Sequence, residues 1–354
     1  MGKRIAVVGT GALGGYVGGY LAQAGMDVTL IDFWPENIEA IRARGLELDG
    51  VTPEERFAVT KARTMHLTEV QDLARQKPVD IAFVAVKSYD TEWATALIRQ
   101  YLAPDGYVVS LQNCLNEERI AGVVGWGKTV GMVASLISVD MYEPARIRRT
   151  VAKGGDKHTV FRVGEVHGRI TKRVEELREM VAMIDSAKTT TNLWGERWSK
   201  LCQNGMKNGV SAATGLTGID CDRNDAIRRF SIRLGGEAVR VGQALGYQIE
   251  KIGKLDPETL ARASEGDVAA LDEIETILRP GSNTNPNPRA DIQRPSMAQD
   301  IRKGRRTEIE FMNGYVAERG TYIGVPAPTH AKLTDIVKRV ERREIEAAPA
   351  LLGG

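Results

Sequence analysis

Gly9-Thr10-Gly11-Ala12-Leu13-Gly14 stands where a short β-branched run, Arg4–Val8, gives way to a helical pattern over Leu13–Ala24. That junction limits the fold more than any other stretch of the chain. The first glycine allows a tight turn, the second lets a pyrophosphate approach the backbone, and the third lets helix and strand pack closely. Phosphates then lie at the helix N-terminus, where unpaired N–H groups and the helix dipole favour negative charge. A second strand pattern, Asp27–Ile31, ends in Asp32, about 20 residues beyond the glycines, where an acid accepts bonds from the adenosine ribose. Strand, glycines, helix, strand and acid in that order predict a dinucleotide site formed by Gly9, Thr10, Gly11, Ala12, Leu13, Gly14 and Asp32. The alternative is a βαβ unit whose glycines serve only its turns.

The first half of the chain keeps alternating. Helical stretches at 37–44, 70–75 and 90–101 separate apolar runs at 80–86, 106–111 and 130–139; a β-rich patch at 159–167 and an amphipathic helix at 171–183 follow. This alternation predicts right-handed βαβ units and a parallel sheet covered on both faces. From about residue 191 strand signals nearly vanish, and long helical patterns run over 198–211, 225–245, 257–278 and 297–320. The expected fold class is therefore α/β: a Rossmann-type parallel-sheet domain over 1–190, then an all-helical domain over 191–354. Arg279–Pro295 is too rich in Pro, Asn and Ser for regular structure, and Ala347–Gly354 reads as a frayed tail.

Composition narrows the function. The 354 residues suffice for two domains, and a net charge of +2 with interspersed signs makes no field suited to nucleic acid or an anionic membrane. There is no apolar run of about 20 residues to span a bilayer, and the first strand begins too early to leave room for a signal peptide. Cys114, Cys202 and Cys221 lack C-x-x-C spacing, and an odd count argues against a disulfide framework. The expectation is a soluble cytoplasmic protein with no metal cluster. Gly122–Thr129 matches a phosphate-binding G-x-x-x-x-G-K-T, but a helical pattern precedes it and a strand follows. That order is reversed from a working loop, so a plain helix-to-strand turn is expected.

Chemistry points to the second half. In Trp198-Ser-Lys200-Leu-Cys-Gln-Asn204-Gly-Met-Lys-Asn208-Gly, one cation and two amides recur at i, i+4 and i+8 along one helix face. Gly205 and Gly209 beside them each cost about 1 kcal/mol relative to alanine in a helix, so close approach of a ligand or another backbone is expected there. With Trp194 and Trp198 nearby, the segment reads as a semi-buried site; a solvated polar face is the alternative. A third segment runs from Ser296 through Gln299, Glu308 and Glu310 to Asn313. Pro295-Ser296-x-x-Gln299 reads as a capping box opening a long helix, and both glutamates read equally as surface acids paired with arginines.

Taken together these motifs resemble the ketopantoate (2-dehydropantoate 2-) reductase family over nearly the whole chain. They are G-x-G-A-L-G at 9–14, V-x-V-K at 84–87, Q-N at 112–113, W-x-K-L-x-x-N-x-x-x-N at 198–208 and S-M-x-Q-D-I-x-x-x-R-x-T-E-I-x-x-x-N-G at 296–314. The resemblance implies Lys200 as general acid, with Asn204, Asn208 and Ser296 holding the substrate's carboxylate and hydroxyl groups. It places Glu308 and Asn113 near the nicotinamide ribose, Lys87 near the adenosine end, and the substrate in the cleft between the domains. Residue chemistry agrees: hydride delivery to a ketone leaves negative charge on oxygen, which an ammonium stabilises and protonates. Partial burial brings a lysine pKa toward neutrality. The four histidines fall outside the motifs, so histidine acid–base chemistry is not expected.

Two departures from the family stand out. Its members usually use NADPH and place a basic residue where this chain has Asp32; a carboxylate repels a 2′-phosphate, so NAD(H) is expected over NADP(H). Residues 249–295 are also longer than the family pattern, which makes a different substrate possible. The expected activity is hydride transfer between a nicotinamide and a small oxo or hydroxy acid. The alternatives are an NAD-dependent dehydrogenase of another, catabolic, hydroxy acid or alcohol, and a non-catalytic dinucleotide sensor. The long second-half helices leave a homodimer open.

Overall fold

The β-branched runs of the first half become the interior of a sheet. The computed structural model describes residues 2–60, 62–279 and 294–353, and the chain divides into two compact units, Met1–Leu193 and Trp194–Gly354. The first unit begins with β1 (Arg4–Val8), α1 (Ala12–Gln23), β2 (Asp27–Asp32), α2 (Pro35–Arg44), β3 (Leu46–Asp49), β4 (Arg56–Val59) and β5 (Arg63–His66). It continues with β6 (Val79–Val84), α3 (Thr91–Arg99), β7 (Leu102–Ser110), α4 (Glu117–Val124) and β8 (Thr129–Ala134). Then come β9 (Val139–Glu143), β10 (Arg146–Arg149), β11 (Phe161–Glu165), α5 (Lys172–Ala182) and β12 (Ala187–Thr189).

Eight strands form one sheet in the order β12-β11-β8-β7-β6-β1-β2-β5, parallel except where β8 meets β11. Alternation along β1 sends Ile5 and Val7 to one core and Ala6 and Val8 to the other, so both faces are dry. Register aligns the carboxyl ends: Val8 pairs with Ile31 and Val84, Val84 with Ser110, and Ser110 with Gly131. The glycine turn, Asp32, Lys87 and Asn113 therefore all leave the same edge of the sheet. A second sheet, β4-β3-β10-β9, is absent from the sequence reading. Its strands are four or five residues long and charged on their outer faces, as in Arg-Ile-Arg-Arg, so they carry little apolar signal. The phosphate-loop lookalike is a turn: α4 ends at Gly125, β8 begins at Thr129, and Lys128 Nζ donates to the carbonyls of Ala103 and Gly106.

The second unit is helical among its described residues. It comprises α6 (Leu193–Gly205), α7 (Asn208–Thr214), α8 (Gly218–Arg223), α9 (Asp225–Ala244), α10 (Pro257–Ser264), α11 (Val268–Leu278), α12 (Ser296–Arg302), α13 (Asn313–Ile323) and α14 (Pro328–Glu341). Three expected long helices are interrupted. The 198–211 pattern breaks between Gly205 and Asn208; 257–278 breaks at Gly266, whose φ of +101° stops α10, with Asp267 capping α11. The 297–320 pattern stops at Arg302 and resumes at Asn313, with Gly304 left-handed between them. Most of the Pro- and Asn-rich stretch Arg279–Pro295 lies outside the described residues. The expected frayed tail is instead docked: Ala348 N–H donates to the Ala213 carbonyl at 3.0 Å, and Leu352 is buried. Its apolar Ala-Pro-Ala-Leu-Leu content covers α7 rather than meeting water. No helix among the described residues is long and apolar enough to cross a membrane.

Candidate active site

The glycine turn is built by contacts that a side chain would break. Gly9 has φ +97°, and a Cβ there would lie 2.8 Å from the backbone nitrogen of Val86. At Gly14 a Cβ would fall 2.1 Å from the Gly9 carbonyl oxygen and 2.8 Å from Ala85 Cβ, which fixes α1 tightly against β1. Gly11 differs: a Cβ there meets nothing within 4 Å. It caps α1 with no side-chain hydrogen bond, and Ala12 and Leu13 follow without an acidic residue in the first turn. No capping side chain or first-turn acid competes for the helix's N-terminal donors, the condition under which a helix end attracts an anion.

Asn37, which the sequence reading passed over, holds this turn. Its Nδ2 donates to the Thr10 carbonyl at 3.0 Å and to Asp32 Oδ2 at 3.3 Å, and its Oδ1 accepts from Ala145 N–H. Thr10 Oγ1 donates to the Ile31 carbonyl. Asp32, only 5% exposed, also accepts from Trp34 N–H. Burial pushes its carboxyl above the usual range, opposed by the Trp34 and Asn37 donors. A polar residue on the inward face of α2 was the available signal for Asn37. Next along the edge, Gln112 Nε2 donates to the Val86 carbonyl and to Thr91 Oγ1, both at 2.8 Å. Asn116 Nδ2 donates to Ser88 Oγ and to the Asn113 carbonyl. These buried amides lock the loop bearing Lys87 to the loop bearing Asn113.

In the second unit Lys200 and Asn204 lie one turn apart on α6, both partly exposed. Asn208 opens α7 and is 8% exposed, so the three-residue stripe spans two helices rather than one. The break is a tightened turn in which Lys207 N–H donates to the Asn204 carbonyl. Lys207 itself turns to Asp222, 2.6 Å from Oδ2. Asn208 Nδ2 lies 3.5 Å from Ser296 Oγ, which joins the second and third motifs. Ser296 does not cap its helix: Pro295 occupies the cap, and Gln299 Nε2 donates to the Arg294 carbonyl instead. Glu308 is buried, unlike a surface acid, whereas Glu310 pairs with Lys338 and Arg306.

The glycine cost in α6 and α7 is met by packing, not by a ligand. A Cβ at Gly205 would touch Asn313 and His330 at 3.5 Å, and one at Gly209 would approach Leu333 at 2.9 Å. Asn313 Nδ2 donates to the Gly205 carbonyl and to His330 Nδ1, and His330 Nε2 donates to the Leu234 carbonyl. Trp198 is structural too, its Nε1 donating to the Ala238 carbonyl of α9. The Cys202 thiol is fully buried, which raises its pKa and leaves it unreactive.

Two models of one family match this chain. That of ketopantoate reductase PanE/ApbA covers residues 5–160, and that of the PanE/ApbA C terminal covers 192–341. The chain belongs to the ketopantoate reductase family. It is thus an NAD(P)-dependent oxidoreductase acting on CH–OH groups. The 2-dehydropantoate 2-reductase of Pyrococcus horikoshii is 29% identical over 340 residues, spanning 96% of this chain and 97% of that one. The PanE/ApbA family ketopantoate reductase of Ralstonia eutropha JMP134 matches in structure with a TM-score of 0.75 at 26% identity, over 96% of this chain and 99% of that one. A D-mandelate dehydrogenase with NADH and anilino(oxo)acetate shares the fold at TM-score 0.77 and 20% identity, over 96% of this chain and 98% of that one.

In this ketopantoate reductase family member His330 also makes stability depend on pH. Burial holds its pKa near about 4 against an ordinary 6.5. Between those values the unfolded chain binds the extra proton, so stability is full above pH 6.5 and falls as pH drops toward 4. The loss approaches about 3 kcal/mol at the acid end. We expect the Tm of the parent to fall more steeply between pH 7 and 5 than that of His330→Gln; equal slopes would remove the histidine from the account.

Proposed function

We propose that the chain transfers hydride reversibly between NAD(H) and a small 2-oxo acid and its 2-hydroxy acid. The Asn208–Ser296 approach carries this reading: it unites two segments far apart in sequence into one polar group, one helix break away from Asn204 and Lys200. Asn204, Asn208 and Ser296 supply donors and acceptors that orient a carboxylate and a carbonyl without adding a competing charge. The dinucleotide, when bound, supplies the hydride to the carbonyl carbon. Lys200 Nζ gives its proton to the carbonyl oxygen as that oxygen takes up the electron pair, and recovers it from solvent; oxidation runs the same proton path backwards.

The residues present fit a dinucleotide. Gly11 leaves open backbone at an uncapped helix terminus, room a pyrophosphate fills. On this reading Asp32 accepts from free ribose hydroxyls, and beside it the half-exposed rings of Phe33 and Trp93 meet edge to face at 6.3 Å, an apolar wall suited to adenine. Lys87 is assigned to the adenosine end, and Asn113 and Glu308 to the nicotinamide ribose. The assay is oxidation of NADH and NADPH with ketopantoate and a panel of 2-oxo acids. Tight NADH binding without turnover of any of them would favour a sensor instead.

Asp32 should set the cofactor. The carboxylate faces a 2′-phosphate unfavourably, so the parent prefers NADH by tenfold or more in kcat/KM. Asp32→Ala should erase most of that preference. An NADPH preference in both proteins would refute the assignment.

A further inference from the structure

Among the described residues, four other than glycine adopt left-handed backbone: Cys114, Leu136, Ala145 and Arg343. Two have ordinary reasons. Arg343 terminates α14, with Glu344 N–H closing back onto the Arg339 carbonyl. Ala145 forms the two-residue turn between β9 and β10. The other two leave adjacent strands at the same edge of the sheet. Cys114 follows Asn113 beyond β7, and Leu136 (φ +54°) lies beyond β8. For a bulky residue such backbone is a genuine outlier, and it persists only where the surroundings enforce it.

The surroundings of Leu136 do enforce it. Ser135 N–H donates to the Val160 carbonyl and Thr150 N–H donates to the Ser138 carbonyl, both at 2.9 Å, so the loop is anchored on either side. Ile137 turns inward against the core, while Leu136 is turned out and left 50% exposed. An apolar side chain is thus held half exposed in a costly conformation.

Its place along the sheet says what it faces. From β2 through β1 and β6 to β7 the edge carries, in order, Asp32, the glycine turn, Lys87 and Asn113. On the cofactor reading proposed above, that order runs from adenosine to nicotinamide. The next strand is β8, level with β7 through the Ser110–Gly131 pair. On that reading its loop is the next one along the edge after the loop assigned to the nicotinamide ribose.

We propose that Leu136 is a specificity residue, the apolar wall for the substrate's side chain, and that the preferred substrates are 2-oxo acids with branched aliphatic side chains rather than small or polar ones. The inference rests on the proposed 2-oxo acid reductase activity. Leu136→Asn tests it, because asparagine tolerates left-handed backbone and is close in size, yet is polar. The measurement is NADH-dependent kcat/KM for pyruvate and for 4-methyl-2-oxopentanoate, with the NADH Kd and Tm of both proteins. A pocket wall of this kind separates substrates by about 10–200-fold. The parent should favour 4-methyl-2-oxopentanoate by at least about tenfold, and the variant should lose most of that ratio with NADH Kd and Tm nearly unchanged. A parent that does not favour the branched acid, an unchanged ratio, or an equal fall for both acids overturns the role of Leu136 while leaving the reductase reading intact. If the parent reduces no 2-oxo acid at all, the activity itself is refuted and this inference with it.

Discussion

Lys200→Ala should lower kcat for 2-oxo acid reduction by about 10²–10⁴-fold, the range lost with a general acid, while the NADH Kd stays within twofold. Three other proton carriers of the second unit are committed elsewhere. His330 is buried and held neutral between Leu234 and Asn313; the Cys202 thiol is raised by burial; Lys207 is paired with Asp222. Lys200→Arg should not restore the rate, since a guanidinium keeps its proton at any working pH and has a different reach. The decisive contrast is between steps. Hydride transfer measured in a single turnover should slow as much as kcat, whereas loss of folding would lower the active fraction and leave the rate of the remainder intact. Turnover of Lys200→Ala within tenfold of the parent would move the proton donor to another group.

How much of this was legible depended on where the signal lay. Strands buried on both faces announce themselves as apolar runs, so β1, β2, β6, β7 and β8 were readable, and with them the glycine turn that β1 enters. The small second sheet was not, because strands such as Leu-Glu-Leu-Asp and Arg-Ile-Arg-Arg alternate over too few residues to stand out from loop. Helix ends set by long-range contacts were equally hidden. Nothing local in Gly205-Met206-Lys207 demands a break, and the break is supported by Asn313 reaching the Gly205 carbonyl from 108 residues away. The same distance explains why the sequence around Gly205 and Gly209 leaves open whether a ligand or another part of the chain comes close, when the neighbours there are Asn313, His330 and Leu333. The i, i+4, i+8 spacing of Lys200, Asn204 and Asn208 survives in part, since a one-turn interruption leaves the first two residues on one face and the third opening the next helix.

Gly11→Ala and Gly14→Ala should fail in different ways, although both alter the same six-residue motif. At Gly11 the backbone is extended, with φ −75° and ψ −162°, and a Cβ has open space around it. Alanine there should fold normally and keep the parent Tm to within about 2 °C, the shift expected when less than about 1 kcal/mol is lost. Its methyl would occupy the room left for phosphate at the N-terminus of α1, so NADH affinity should fall tenfold or more. At Gly14 the obstacle is the protein's own backbone: the new Cβ would sit 2.1 Å from the Gly9 carbonyl oxygen, and no side-chain rotation relieves that. Either α1 moves off β1 or the turn at Gly9 opens, against a φ of +97° already pinned by Val86. Overpacking of this kind costs about 3 kcal/mol or more, which lowers the Tm by roughly 6–12 °C for a unit of this size. Thermal unfolding with and without NADH separates the two defects: NADH should raise the Tm of the parent and scarcely that of Gly11→Ala. A Gly11→Ala protein that binds NADH normally would mean that the open backbone at the start of α1 does not receive the cofactor phosphates. A Gly14→Ala protein as stable as the parent would mean that the close packing of α1 on β1 yields more readily than the contacts at Gly9 and Ala85 imply.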